Sequence, residues 1–281
     1  MIKNKFDKFE LLLYNINQKR SSQMKDFIIA LQFLTRFTIN SKKFELSKED
    51  LANSTVCFPI IGLVIGSFLI LINFVLSSFL PVLVVDSFII ISLIFITGGL
   101  HLDGYADTID GFTAGRNKKE ILDIMSDSRV GAIGVIGIFC LLIIKFSLIH
   151  EMSMEVKNIA LILMCVLGRW AMVMAAASSD YAKNNNGLGK PFTDYVETKE
   201  FVFATIITVL IGWGLFSWGP LYYKGIILIL MIYLANLSLI KFVKRKIGGV
   251  TGDILGALCE VTEVLVLFFI MIIDKIEGKF F

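Results

Sequence analysis

VCFPIIGLVIGSFLILINFVLSSFL, residues Val56 to Leu80, carries no charged side chain across 25 positions. About 20 apolar residues in a helix are enough to cross the hydrocarbon core of a bilayer. Gly62 and Gly66, four residues apart, offer a small-residue face on which a second helix can pack closely. The stretch reads as a transmembrane helix.

The rest of the chain follows the same pattern. Of 281 residues, 56% are hydrophobic and only 18% charged, and mean hydropathy is +0.77. A soluble domain of this size needs more polar surface. Further runs of near-spanning length are Ser87–Leu102, Val130–Ile149, Asn158–Ser178, Phe201–Leu221, Gly225–Val243 and Ile254–Ile273. The expected fold is therefore all-α, a polytopic membrane helix bundle of about seven transmembrane helices (6–8). Lys25–Phe37 is too short and broken to span and reads as an interfacial or re-entrant helix. Residues 1–23 read as an N-terminal extension, either disordered or resting on the membrane surface, and residues 24–281 as one integral-membrane catalytic domain. The first spanning run lies behind a long charged segment, so no signal peptide is expected. Cys57, Cys140, Cys165 and Cys259 sit in apolar runs without a CxxC pair, as small core residues do.

Charge orients these spans. With the N-terminus inside, 21 Lys and Arg fall in inner segments against five outside (Lys145, Lys157, Lys224, Lys275 and Lys279). Discounting the long N-terminal segment leaves 11 against five, still a positive-inside bias. The expectation is a multi-pass protein of the cell membrane with a cytoplasmic N-terminus and active site and an outer C-terminus. A net charge of only +3 argues against nucleic acid as a partner.

One segment interrupts the apolar pattern: GGLHLDGYADTIDGFTAGRNKKEILDIMSDSRVGAIG, Gly98 to Gly134. Asp103, Asp107 and Asp110 fall within a helical stripe roughly 60° wide. Asp123 and Asp127, four apart, are expected to share a face of the next helical piece. Like charges this dense repel unless a cation lies among them, and hard oxygens without a His pair or Cys suit Mg²⁺ (or Mn²⁺). Asp103, Asp107, Asp110 and Asp127 are the candidate metal ligands, and an exposed helix-face carboxylate is the simpler account of Asp123. Arg116 and Arg129 suit phosphate oxygens, or else internal salt bridges to the acids. Gly248, Gly249, Thr251 and Asp253 precede the last span, where backbone N–H groups can meet a phosphate, unless Asp253 is only a helix N-cap. Glu260 lies inside that span and needs a partner, for which Arg169 is the natural choice. The acids, the 179–200 loop and the 244–253 loop all fall on the inner side.

HLDGYADTIDG followed by ILDIMSDSRVGAIG resembles the signature of the cobalamin synthase (adenosylcobinamide-GDP ribazoletransferase) family. ALQFLTRFTIN at Ala30–Asn40, CFPIIGLVIG at Cys57–Gly66 and IGGVTGDILGA at Ile247–Ala257 fit the same resemblance, in order. It implies that α-ribazole, or its 5′-phosphate, displaces GMP from adenosylcobinamide-GDP in the last assembly step of cobalamin. Asn184–Phe192 is similar to a Gly-Leu-Gly loop of that family, which makes Lys190 a phosphate-binding candidate beside His101, Arg116 and Arg129. Implied partners are the two substrates and the lipid bilayer, with room for a homo-oligomer or for association with other lower-ligand assembly enzymes. The spelling from Asp107 to Asp127 also looks like the motif of CDP-alcohol phosphotransferases, though Gly115 is inserted and Lys119 stands where a glycine is expected. By that analogy Asp127 is the candidate base, with Asp110 and Arg129 beside it in the reaction. Two other readings stay open at this point: a CDP-alcohol-type lipid synthase, and a transporter using the acids as an ion path.

Overall fold

The computed structural model describes residues 23–39, 47–183, 189–217 and 224–277. Most of the N-terminal extension and most of the Gly-Leu-Gly loop therefore lie outside the described residues. The chain is helical throughout: α1 (23–34), α2 (Lys48–Ser54), α3 (Phe58–Ser77), α4 (Val82–Thr97), α5 (Leu100–Ala114), α6 (Lys118–Ile124), α7 (Ala132–His150), α8 (Met154–Ala177), α9 (Lys190–Tyr195), α10 (Thr198–Ser217), α11 (Lys224–Ile247) and α12 (Gly252–Glu277). Among the described residues there is no strand, only a parallel bridge between Tyr181 and Val250.

Among the described residues, six helical stretches are long and apolar enough to cross a membrane, or seven if α4 and α5 together count as one. This is the expected polytopic bundle. At its centre is α8, whose spanning window is 94% buried within the protein. The Gly62/Gly66 face does what its spacing suggested: a Cβ on Gly62 would stand 2.5 Å from the Cys165 carbonyl, and one on Gly66 2.6 Å from Ile162 Cα. The α3 and α8 backbones thus touch, and Asn73 Nδ2 donates to Asn158 Oδ1 at 3.0 Å beside the same seam. Large apolar side chains that are exposed on the outer faces, such as Phe74, Phe95, Phe139 and Trp213, suit contact with lipid.

Three expectations need correction and one is refined. The apolar run at Ser87–Leu102 is not one helix reaching the aspartates. Most of it is α4, which ends at Gly98 (φ 67°) and Gly99 (φ 73°). Two successive left-handed residues suit only glycine, and they turn the chain by 91° into α5. Second, α1, expected as an interfacial or re-entrant helix, is tied into the bundle at its C-terminal half: Ala30 and Leu34 are fully buried, and Arg36 N donates to Ile96 O at 2.8 Å. Third, Asp123 and Asp127 do not share a helix. α6 ends at Ile124, and Asp127 lies three residues beyond it, accepting from Arg129 N at 3.0 Å. Fourth, Lys145 and Lys157 are not outer surface charges, since each is 1% exposed. Lys157 Nζ donates to Asp86 at 2.7 Å, and His150 Nδ1 lies 2.8 Å from that carboxylate's other oxygen.

The α3–α8 seam gives a direct test. Gly62→Val forces two methyl groups into the α8 backbone and is expected to cost roughly 1–3 kcal/mol or more. It should lower the thermal midpoint of the solubilised protein. Gly214→Ala, with nothing within 4 Å of its Cβ, should leave that midpoint unchanged.

Candidate active site

α5 is wedged between α12 and α7. Gly104 lies so close to α12 that a Cβ would meet the Asp253 backbone at 2.8 Å. On the other side Asp110 reaches the start of α7, where Gly131 N and Gly134 N each donate to its carboxylate at 2.8 Å. Those amides are among the orphan donors of a helix N-terminus, so Asp110 caps α7 from a neighbouring helix. One turn earlier, Asp107 feels the charges of Asp103, Asp253 and Asp110, opposed by Lys183. Asp127 stands beyond α6, and its two oxygens bind Arg129 Nε at 3.1 Å and Nη2 at 2.7 Å. The guanidinium and the Arg129 amide hold that carboxylate down at about 2, so it stays ionised at any ordinary pH.

Three loops meet the acidic helix. Ala182 N donates to Val250 O, and Val250 N to Asp180 O, both at 2.9 Å, which joins the 179–183 segment to the glycine loop. Within that loop Gly248 has φ +79° and its N donates to Lys244 O, so it ends α11 as a left-handed cap. Gly249 packs directly on the Asp180 carbonyl. Thr251, not Asp253, caps α12, accepting from Ile254 N at 3.2 Å. Asp253 is left facing Lys183 Nζ at 3.2 Å. Lys190 opens α9, and Gly189 just before it touches the Gly252 backbone.

The sequence-predicted residues therefore gather at one end of the bundle but divide among three hollows. Asp107, Asp110, Asp127 and Arg129 share a groove of about 390 Å³. Lys118, Lys119, Asp123 and Lys183 line another of about 440 Å³. His101, Asp103, Gly104 and Asp253 line a cavity of about 160 Å³. Arg116 is exposed beside them, its backbone N donating to Glu120 Oε2 at 2.9 Å. Among the described residues no three Asp, Glu, His or Cys side chains close on a single point. Carboxylate oxygens are the donors a hard cation takes, and Asp107, Asp110 and Asp127 share one groove, though their side chains do not converge on a single point.

Comparison with known proteins identifies the chain. Residues 26–271 match a family model described as cobalamin-5-phosphate synthase. An adenosylcobinamide-GDP ribazoletransferase of Acetivibrio thermocellus is 34% identical, covering 88% of this chain and 98% of the relative. Proteins of the same name from Fusobacterium nucleatum and Clostridium acetobutylicum are 34% and 35% identical, each over 89% of this chain and 98% and 97% of their own lengths. The chain belongs to the cobalamin-5-phosphate synthase family. No solved structure matches it.

This member of the cobalamin-5-phosphate synthase family also buries a charge network beneath its acidic helix. Lys145 Nζ on α7 binds Glu260 Oε2 and Glu263 Oε2 on α12, each at 2.6 Å, and Arg169 on α8 pairs with the other oxygen of Glu263. Arg169 was expected to pair with Glu260; Lys145 takes that place. Lys145 and Glu263 were readable as ionisable residues inside spans, which need partners there, but their helices lie far apart in sequence. Two acids and two bases sum to zero, so the group is tolerable only while complete. Glu263→Gln leaves Arg169 without its carboxylate and is expected to cost about 3–5 kcal/mol. The check is a large drop in the thermal midpoint in detergent, partly restored by adding Arg169→Met.

Proposed function

We propose that the α5 aspartates and the loops facing them carry out the transfer for which the relatives are named. The reaction joins adenosylcobinamide-GDP to α-ribazole or its 5′-phosphate and releases GMP, the last assembly step of cobalamin. The lipid-synthase and transporter readings are not favoured, since the family match covers residues 26–271. A hydroxyl oxygen of the nucleoside forms a bond to the phosphorus nearer the corrinoid. The bridging P–O bond breaks, GMP leaves with that oxygen, and the hydroxyl proton passes to a carboxylate.

Asp103, Asp107, Asp110 and Asp127 would hold Mg²⁺ or Mn²⁺. Such a cation, when bound, neutralises the diphosphate and the leaving oxygen. What supports this reading is the placement of Asp107, Asp110 and Asp127 on one groove, with Asp103 one turn before Asp107 on α5. Asp127 is the base for the attacking hydroxyl, but a carboxylate held at about 2 is a poor one. Arg129 has 87% of its side chain exposed and is free to swing from Asp127 to the incoming diphosphate. That movement anchors the substrate and makes Asp127 more basic at the same moment. Arg116, Lys190 and the Gly248–Asp253 loop border the same end and receive the remaining phosphate charge, with His101 among the substrate-binding groups.

This end faces the cytoplasm, and the C-terminus lies outside. Lys118 and Lys119 at the start of α6, Lys183, and Lys244, Arg245 and Lys246 in the last turn of α11 lie at this end. Removing the buried Lys145 and Lys157 leaves Lys224, Lys275 and Lys279 of the five assigned to the far side, which sharpens the bias.

The experiment is GMP release by the solubilised chain given adenosylcobinamide-GDP and α-ribazole phosphate. Release is expected with Mg²⁺, lost in EDTA and restored by Mg²⁺ or Mn²⁺. Asp127→Ala should lower kcat by about 10²–10⁴-fold, the usual worth of a positioned base. Release that is indifferent to EDTA would remove the metal from this reading, and full activity in Asp107→Ala would remove that residue.

A further inference from the structure

The cavity at the start of α5 contains a group that the transfer chemistry leaves unexplained. His101 is 2% exposed, and neither of its ring nitrogens has a hydrogen-bond partner. A buried imidazole without partners loses the hydration it had in the unfolded chain, so its presence calls for a ligand. The cavity it lines measures about 160 Å³, the scale of interior cavities of roughly 150 Å³ that take up an aromatic ring. Its walls are mainly apolar. Phe33, Phe58 and Phe192, from α1, α3 and α9, bring their rings together with centroids 4.7 to 6.1 Å apart. Asp103 and Asp253, at the acidic end, complete the lining.

We infer that this cavity receives the planar base of the incoming nucleoside, with His101 donating to its one free ring nitrogen and the ribose directed toward Asp103 and Asp253. The inference rests on the reaction proposed above and names a subsite for one of its two substrates. The chemistry that selects the occupant is the scarcity of polar groups. An N-ribosylated benzimidazole has apolar edges and a single acceptor, which one neutral imidazole N–H satisfies. Guanine, the other base in the reaction, carries donors and acceptors around most of its rim, more than one imidazole and two carboxylates among mainly apolar walls can pair. The aromatic trio is also drawn from three separate segments, so α1 and α9 gain a reason to be tied into the bundle. α1 packs Ala30 and Leu34 into the bundle, and α9 is held by the contact of Gly189 with Gly252.

The test is equilibrium binding of α-ribazole to the solubilised chain, without metal or second substrate, compared with the indole riboside in which CH replaces the free ring nitrogen. Wild-type protein is expected to bind α-ribazole about tenfold more tightly than the indole analogue, the worth of one buried hydrogen bond. In His101→Leu the two ligands should bind alike, and Phe192→Leu should weaken both together. Equal binding of the two ligands by wild-type protein overturns the inference even if the variant does not fold. So does a tenfold preference that survives in His101→Leu, or displacement of α-ribazole by guanosine at equal affinity. The readout is independent of turnover. Discriminating binding without GMP release would sink the proposed reaction and leave the subsite standing, whereas normal turnover without discrimination would do the reverse.

Discussion

Lys145, Glu260, Glu263 and Arg169 form a neutral group of four charges inside a helix bundle whose other contacts are almost all apolar. Apolar packing within lipid is weakly directional, because a leucine face is as content against acyl chains as against another helix. A charge network is not so tolerant. Each carboxylate must meet its cation, and this fixes the rotation and depth of α7, α8 and α12 together. These are the helices that frame the site: α7 and α12 flank α5, and α8 adds Met172, Val173 and Ala176 to the wall of the cavity that His101 shares. The placement of α5 and its aspartates thus rests on ion pairs that line none of the three hollows.

The bend at Gly98 and Gly99 solves a second problem. Aspartates continued along α4 would have carried three charges further along an apolar helix, at a cost of about 2.5–3.5 kcal/mol each at mid-bilayer. By turning 91°, the chain ends the apolar helix and starts an acidic one against the first turn of α12. There the loops after α8 and α11 bring Lys183 opposite Asp253 and Thr251 onto the first turn of α12. Apolar and acidic sequence can then be adjacent in the chain without sharing an environment.

Much of this was legible in advance, for reasons that differ by element. Spanning helices announce themselves by length and lack of charge, and Gly62/Gly66 by spacing, because these are local properties. The bend was not read, although Gly98-Gly99 was in plain view: a glycine pair permits a left-handed turn without requiring one. Lys145 was misplaced because charge counting treats each lysine as a surface marker, and only tertiary contact with α12 reveals it as a buried partner. The aromatic trio was invisible, since Phe33, Phe58 and Phe192 are joined only when α1 and α9 fold over the start of α3. The aspartates stood out by composition, but how they divide among hollows depended on capping and turn chemistry at Asp110 and Asp127.

Asp110 shows how far a structural duty and a chemical one are compatible. Its two oxygens each accept one amide hydrogen, from Gly131 and Gly134, and so hold the start of α7. An ionised carboxylate offers about four lone-pair sites, and only two are spent here. The remaining pair can meet a cation without releasing the helix, and the two amides keep the carboxylate oriented while they do so. Asp127 has no such reserve of position. It stands beyond α6 with its charge spent on Arg129, and it can serve only when that arginine leaves. One aspartate is thus built as a fixed post and the other as a hinged one.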